Sequence, residues 1–175
     1  HLAKEQLNDG ANPLMKNSLD IIQQNAGEMV NKLNDIVWLI NPGNDNLQQL
    51  LQRLEDYAIQ MAAVKNARVK SNIGGYHINT VLPADTRRNV FLLFKEAINN
   101  AVKYSNATVF EFTITDEAKG ITIVFADNGT GYDLENAKRG NGLKNMASRA
   151  EEINAQYEYC TMAGKGTKVI VHLPH

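Results

Sequence analysis

Glu96, Asn100 and Lys103 fall at positions i, i+4 and i+7 of the stretch FLLFKEAINNAVKYS, residues 91–105. Read as a helix, that spacing puts a carboxylate, a carboxamide and an ammonium on one face. Phe94, Ala97, Ile98 and Ala101 recur on another face, which predicts packing on a core. The polar set has a chemistry. A carboxamide oxygen at Asn100 can ligate Mg²⁺, a hard ion that keeps several waters and bridges phosphates. Lys103 can meet a phosphate as a point charge. Glu96 can orient or deprotonate a metal-bound water.

Three glycine clusters follow this helix: DNGTG at 127–131, GNGL at 140–143 and GKGT at 164–167. Asp127 ends an apolar run, where a charge needs a reason. Its carboxylate can accept a hydrogen bond from the exocyclic amine of adenine. Guanine would leave that buried acceptor unpaired, at a cost of about 1–3 kcal/mol. Gly129 and Gly131 allow the backbone to turn with φ > 0 and come close to a flat ring. Gly140 and Gly142 flank Asn141 just before a second helical stretch, and backbone N–H groups at a helix start suit phosphates.

The elements that hold these residues can be read from periodicity. Pro13 to Asn41 predicts a long helix, with Asn12 as cap. Leu19, Ile22, Ala26, Met29, Leu33, Ile36 and Ile40 alternate three- and four-residue steps, a seam that predicts packing along other helices. Asn41-Pro42-Gly43 ends it. A second helix is expected over 46–64, capped by Asp45 or Asn46. With residues 1–8, which read as the end of a helix closed by Asp9-Gly10, these form a helical hairpin. Alternation then predicts strands at 67–73, 107–115, 121–127, 156–162 and 167–173, and a short one at 76–81. Gly74-Gly75 breaks the first, and Lys119-Gly120 turns the chain between the second and third. Helices are expected from Asp85, read as a cap, and over 142–154. The whole predicts an α+β fold: a two-layer sandwich with an antiparallel-dominated sheet and helices on one face, preceded by long helices. The change of period places a boundary near residue 65, between a helical region 1–64 and an α/β region 65–175.

Composition narrows the classes. The chain has 175 residues, 43% hydrophobic and 21% charged, an ordinary globular balance. A formal net charge of −1 argues against an electrostatic nucleic-acid partner. No apolar run approaches the roughly 20 residues that span a bilayer, so no direct membrane contact is expected. Cys160 is the single cysteine, which excludes an intramolecular disulfide framework and suits a reducing, cytoplasmic compartment.

The order and spacing of these motifs resemble the ATP-binding domain shared by sensor histidine kinases, gyrase-type ATPases and their relatives. KEAINNAVKYS (95–105) resembles the N box, and DNGTG, GNGLKNM (140–146) and GKGT resemble the successive glycine boxes. GLKNMASRAEE and GKGTKVIVHLP are similar to histidine kinases of the short-lid subgroup, since only about ten residues separate the middle boxes. DIVWLINPGNDNL (35–47) resembles the second helix of that subgroup's dimerisation hairpin. The resemblance implies a Bergerat-type ATP-binding fold after a partial hairpin, with ATP and Mg²⁺ as ligands. It implies Asn100 as metal ligand, Asp127 as adenine acceptor and Glu96 in the acidic N-box place. Lys103, Tyr104, Gly129, Gly131, Gly140, Asn141, Gly142, Leu143 and Thr167 would shape the nucleotide pocket. The implied partners are a response regulator and, in the intact protein, a second copy of the chain. The family's phosphorylated histidine carries acidic flanks that His1, His77, His172 and His175 lack. The expectation is therefore that the phosphoacceptor lies outside this chain, which would bind ATP without phosphorylating itself.

Overall fold

The computed structural model describes residues 13–73, 80–117, 119–133 and 141–174. The expected helix end over 1–10, the Asn12 cap, the Gly74-Gly75 break, most of the strand at 76–81, and His1, His77, Gly140 and His175 lie outside the described residues. The chain divides into two compact units, His1–Pro42 and Gly43–His175.

In the first unit, α1 spans Pro13–Ile40. Of the seam residues, Ile22, Ala26, Met29, Leu33, Ile36 and Ile40 are exposed and Leu19 is half-buried. Among the described residues no helix is long and apolar enough to cross a membrane.

The second unit opens with α2, Leu47–Ala63. Asn46 caps it, as its spacing predicts: its Oδ1 accepts from Gln49 N at 2.9 Å. Leu47, Leu50, Leu51, Leu54, Ala58 and Ala62 are buried along one stripe. That stripe packs on α3 (Ala84–Asn100) and on β1 (Arg68–Ile73). The unit division at Gly43 thus lies upstream of the change of period at residue 65. Leu54 is 1% exposed. Leu54→Ala is expected to cost about 2–5 kcal/mol, because the void left between α2 and its neighbours closes only partly. Urea unfolding measures this, and a loss below about 1 kcal/mol would mean that α2 is not part of this core.

Alternating burial then builds the sheet. β2 (Val109–Glu117) buries Phe110, Phe112 and Ile114, and β3 (Gly120–Asp127) buries Ile121, Ile123, Phe125 and Asp127. β5 (Thr167–Pro174) buries Val169, Val171 and Leu173, while β4 (Gln156–Thr161) forms an edge. The order is β1-β2-β3-β5-β4, with β1 parallel to β2 and every other pair antiparallel. The helix-facing side carries Phe112 and Phe125 with ring centroids 5.0 Å apart, and Phe94 of α3 meets Phe112 at 6.3 Å. α4 (Asn141–Glu152) packs beside α3 through Met146 and Ala150. This is the two-layer α+β sandwich expected from the patterning.

Two local features differ from expectation. Asp85 is not the cap of α3; Pro83 holds that position and Asp85 lies in the first turn, where its charge still favours the helix start. The helix over 84–105 is also not uniform. After Asn100 it widens into a π turn, Ala101–Ser105. The chain leaves it through Asn106 in the left-handed region at φ 51°. Asn66 after α2 and Asn154 after α4 do the same at 54° and 53°. At each helix-to-strand junction, then, an Asn-Ala pair turns the chain into the sheet.

Candidate functional site

Asp127 ends β3 and pairs in register with Thr167, the first residue of β5. Its side chain is 7% exposed. Oδ1 accepts from Gly129 N–H at 2.8 Å, which fixes the carboxylate in the turn that follows the strand. Burial pushes the carboxyl above its ordinary range, against the pull of hydrogen bonds from Gly129 and Thr167. Asn128 pins the same turn: its Oδ1 accepts from Thr108 and Val109 N–H, both at 2.9 Å.

The glycine loops close around this carboxylate. Thr130 N–H donates to Ser105 O at 2.7 Å, and Gly164 N–H donates to Thr130 O at 2.6 Å. The DNGTG turn is therefore strung between the end of the π turn and the GKG turn. Gly129 departs from expectation: its φ is not positive, and it does not line the cavity but sits behind the wall. A Cβ there would meet Ser105, so close packing rather than a left-handed turn calls for glycine. Gly166 has φ +77°, and a Cβ there would fall on the Asp127 carbonyl oxygen.

A cavity of about 570 Å³ opens in front of Asp127. Its sheet side is Phe125, Asp127, Thr167 and Val169, and its helix side includes Glu96, Ala97, Asn100 and Ala101. Asn141, Gly142 and Leu143, the start of α4, close a third side. A Cβ on Gly142 would lie 2.5 Å from Glu96 Oε1 and 3.4 Å from Asn100 Nδ2, so α4 begins directly against the polar face of α3. Lys103 and Tyr104 reach the rim from the π turn, and Tyr104 is 72% exposed. Gly131 also lines the cavity, in the left-handed region.

Of the residues singled out by sequence, ten of the described ones converge on one cavity: Glu96, Asn100, Lys103, Tyr104, Asp127, Gly131, Asn141, Gly142, Leu143 and Thr167. An apolar floor with few convergent polar groups, one of them a buried acid, is the usual make-up of a small-molecule site. The neighbour of Asn100 is held from outside, where Tyr57 of α2 donates to Asn99 Oδ1 at 2.7 Å. Sequence reasoning missed Tyr132 and Tyr159, which also line the cavity, and Ser105, which anchors the DNGTG turn. A signal for the tyrosines existed: Tyr132 directly follows DNGTG, and Tyr159 shares a strand face with Tyr157 and Thr161.

Residues 85–175 match the family described as histidine kinase-, DNA gyrase B- and HSP90-like ATPase. The chain is 32% identical over 103 residues to sensor histidine kinase YdfH of Bacillus subtilis, covering 57% of this chain and 25% of that protein. It is 22% identical over 163 residues to sensor protein VraS of Staphylococcus epidermidis, covering 93% of this chain and 46% of that protein. It thus spans less than half the length of either relative. Among solved structures, the ATP binding domain of PrrB from Mycobacterium tuberculosis superposes with a TM-score of 0.56 at 21% identity, covering 74% of this chain and 93% of that one.

Proposed function

As the chain belongs to the histidine kinase-, DNA gyrase B- and HSP90-like ATPase family, we propose that it is the catalytic core of a two-component sensor histidine kinase. It binds Mg–ATP and passes the γ-phosphate to a histidine on a partner helix, for relay to a response regulator in the cytoplasm. The observation that carries this reading is a single cavity bounded by buried Asp127, the Glu96–Asn100 face of α3 and the first turn of α4.

Each side has a role. Asp127 accepts the exocyclic amine of adenine, over a floor of Phe125 and Val169. The first turn of α4 has N–H groups without intrahelical partners, suited to phosphate oxygens. Lys103 adds a cation at the rim. Among the described residues no cluster of three or more His, Cys, Asp or Glu converges. The donors facing the phosphate end are the carboxamide of Asn100 and the carboxylate of Glu96, a set that fits an ion held jointly with phosphates and water. Asn100 would hold Mg²⁺, which when bound neutralises phosphate charge; Glu96 orients the groups around the γ-phosphate. Positioning and charge stabilisation supply most of the rate in such transfers.

The exposed seam of α1 supports the rest of the proposal: it is the dimerisation face of the intact protein, and residues 1–64 include part of a dimerisation hairpin. The same seam favours one alternative, a non-catalytic interaction scaffold on an ATP-binding fold.

Transfer from γ-labelled ATP to a separately supplied first hairpin helix tests the choice. Labelling of that helix, dependent on Mg²⁺, is expected. Asn100→Ala should weaken Mg–ATP by about tenfold or more and Mg-free ATP by less. Equal losses would remove the metal role. A chain that binds ATP and never labels the helix would be the scaffold.

A further inference from the structure

Tyr132 and Tyr159 form a hydroxyl pair inside the cavity. Their oxygens are 2.8 Å apart and their ring centroids 6.4 Å apart. Strand register shows where Tyr159 stands. Asp127 is opposite Thr167, while Phe125 is opposite Val169 and Val169 is opposite Tyr159. Residues two apart on a strand share a face, so all five sit on the side that faces the helices. Phe125, Val169 and Tyr159 then form one row across β3, β5 and β4, beside the row that holds Asp127.

β3 and β4 lie two strand spacings apart, about 10 Å. A purine lying on Phe125 and Val169, with one edge at Asp127, presents its other polar edge towards β4. What stands there is the tyrosine pair. A pair of hydroxyls uses one proton for its mutual bond and keeps the second to donate elsewhere. Burial pushes the Tyr159 phenol well above its ordinary range, helped by its bond to Tyr132, so it stays protonated and able to donate at neutral pH. Tyr157, two residues back on the same face, is pushed up to about 12, mainly by burial. Among the described residues its hydroxyl is buried without a hydrogen-bond partner, while the Thr167 hydroxyl bonds Tyr159 and pulls against the rise there.

We propose that the Tyr132–Tyr159 hydroxyl pair is a second base-recognition contact, donating a hydrogen bond to a ring nitrogen of the purine whose exocyclic amine Asp127 accepts. This rests on the adenine-nucleotide reading above and adds to it a donor that complements the Asp127 acceptor. One acceptor and one donor on a flat ring fix its rotation in the plane, which a single contact leaves free.

The test is calorimetric titration of the full chain with ATP and with its 1-deaza, 3-deaza and 7-deaza analogues, each lacking one ring nitrogen. Tyr159→Phe is expected to weaken ATP roughly three- to tenfold, the effect of one neutral hydrogen bond. For one of the three analogues the same substitution should cost nothing, because the acceptor is already gone. Tyr132→Phe should reproduce the pattern, and it serves as the test if Tyr159→Phe fails to fold. Unchanged ATP affinity in both variants, or an equal loss on ATP and all three analogues, would overturn the proposal. Wild-type protein that binds no ATP at all would instead overturn the nucleotide reading.

Discussion

Asp127→Asn is expected to weaken ATP binding by roughly 10- to 100-fold and, at neutral pH, to raise the melting temperature of the nucleotide-free protein. The two effects share one cause. The carboxylate is buried, and burial raises its proton affinity. A folded-state pKa above the unfolded value means that the folded chain holds the proton more tightly. That stability is fully present below the unfolded value and is lost as pH rises through the folded one. At neutral pH the ionised acid is thus a liability to the empty fold. Asn keeps an oxygen to accept from Gly129 N–H and carries no charge to desolvate. The liability becomes an asset when an amine donor arrives, because a hydrogen bond to a charged acceptor is worth about 1.5–3 kcal/mol. Calorimetric titration checks the first effect. Thermal unfolding at several pH values from acid to neutral checks the second: the variant's advantage should grow as pH rises through the acid range. An Asn variant that binds ATP as tightly as wild type would end the adenine assignment. One that gains no stability would show that the carboxylate is well solvated.

Gly166→Ala should lower the melting temperature by roughly 5–15 °C, the size expected for a few kcal/mol in a domain of this length. Two costs combine. The residue sits at φ +77°, where a side chain costs about 1–2 kcal/mol. Its new Cβ would also fall on the carbonyl oxygen of Asp127, and relieving such overpacking costs about 1–3 kcal/mol. The backbone has little freedom to yield, because Thr167 is already paired with Asp127 in the ladder. Gly164 supplies the comparison. It has nearly the same φ, +78°, with nothing near its Cβ direction. Gly164→Ala should therefore show the conformational cost alone. Equal shifts for the two substitutions in scanning calorimetry would mean that the contact with Asp127 is easily relieved.

Periodicity carried most of the second unit. Phe110, Phe112, Ile114, Ile123 and Phe125 alternate in sequence and are buried on one face, so their strands were legible from hydrophobicity alone. The polar face of α3 was legible for the same reason. What patterning lacks is knowledge of what covers a face. Leu47, Leu50, Leu54 and Ala58 specify a helix with one buried stripe, whether the cover is α1 or the sheet; by contact, they belong to the unit that starts at Gly43. The widening at Ala101–Ser105 has no signature in AVKYS, since those residues suit a regular helix equally well. The tyrosine pair was hidden for a related reason. An aromatic residue on an alternating strand reads as ordinary packing, and only strand register brings Tyr159 beside the DNGTG turn. The repeated Asn-Ala junctions were present in the letters, but hydrophobic alternation passes over them because neither residue changes the count.

The wide turn at Ala101–Ser105 also bears on attempts to borrow this site for a designed protein. Idealised scaffolds are assembled from helices of constant pitch. Copying Glu96 and Asn100 onto such a rod would keep their mutual spacing. It would send the copies of Lys103 and Tyr104 off in another direction, and leave the carbonyl of Ser105 turned away from the amide of Thr130. A transplant that reproduces the irregular backbone along with the side chains keeps the loop tied down.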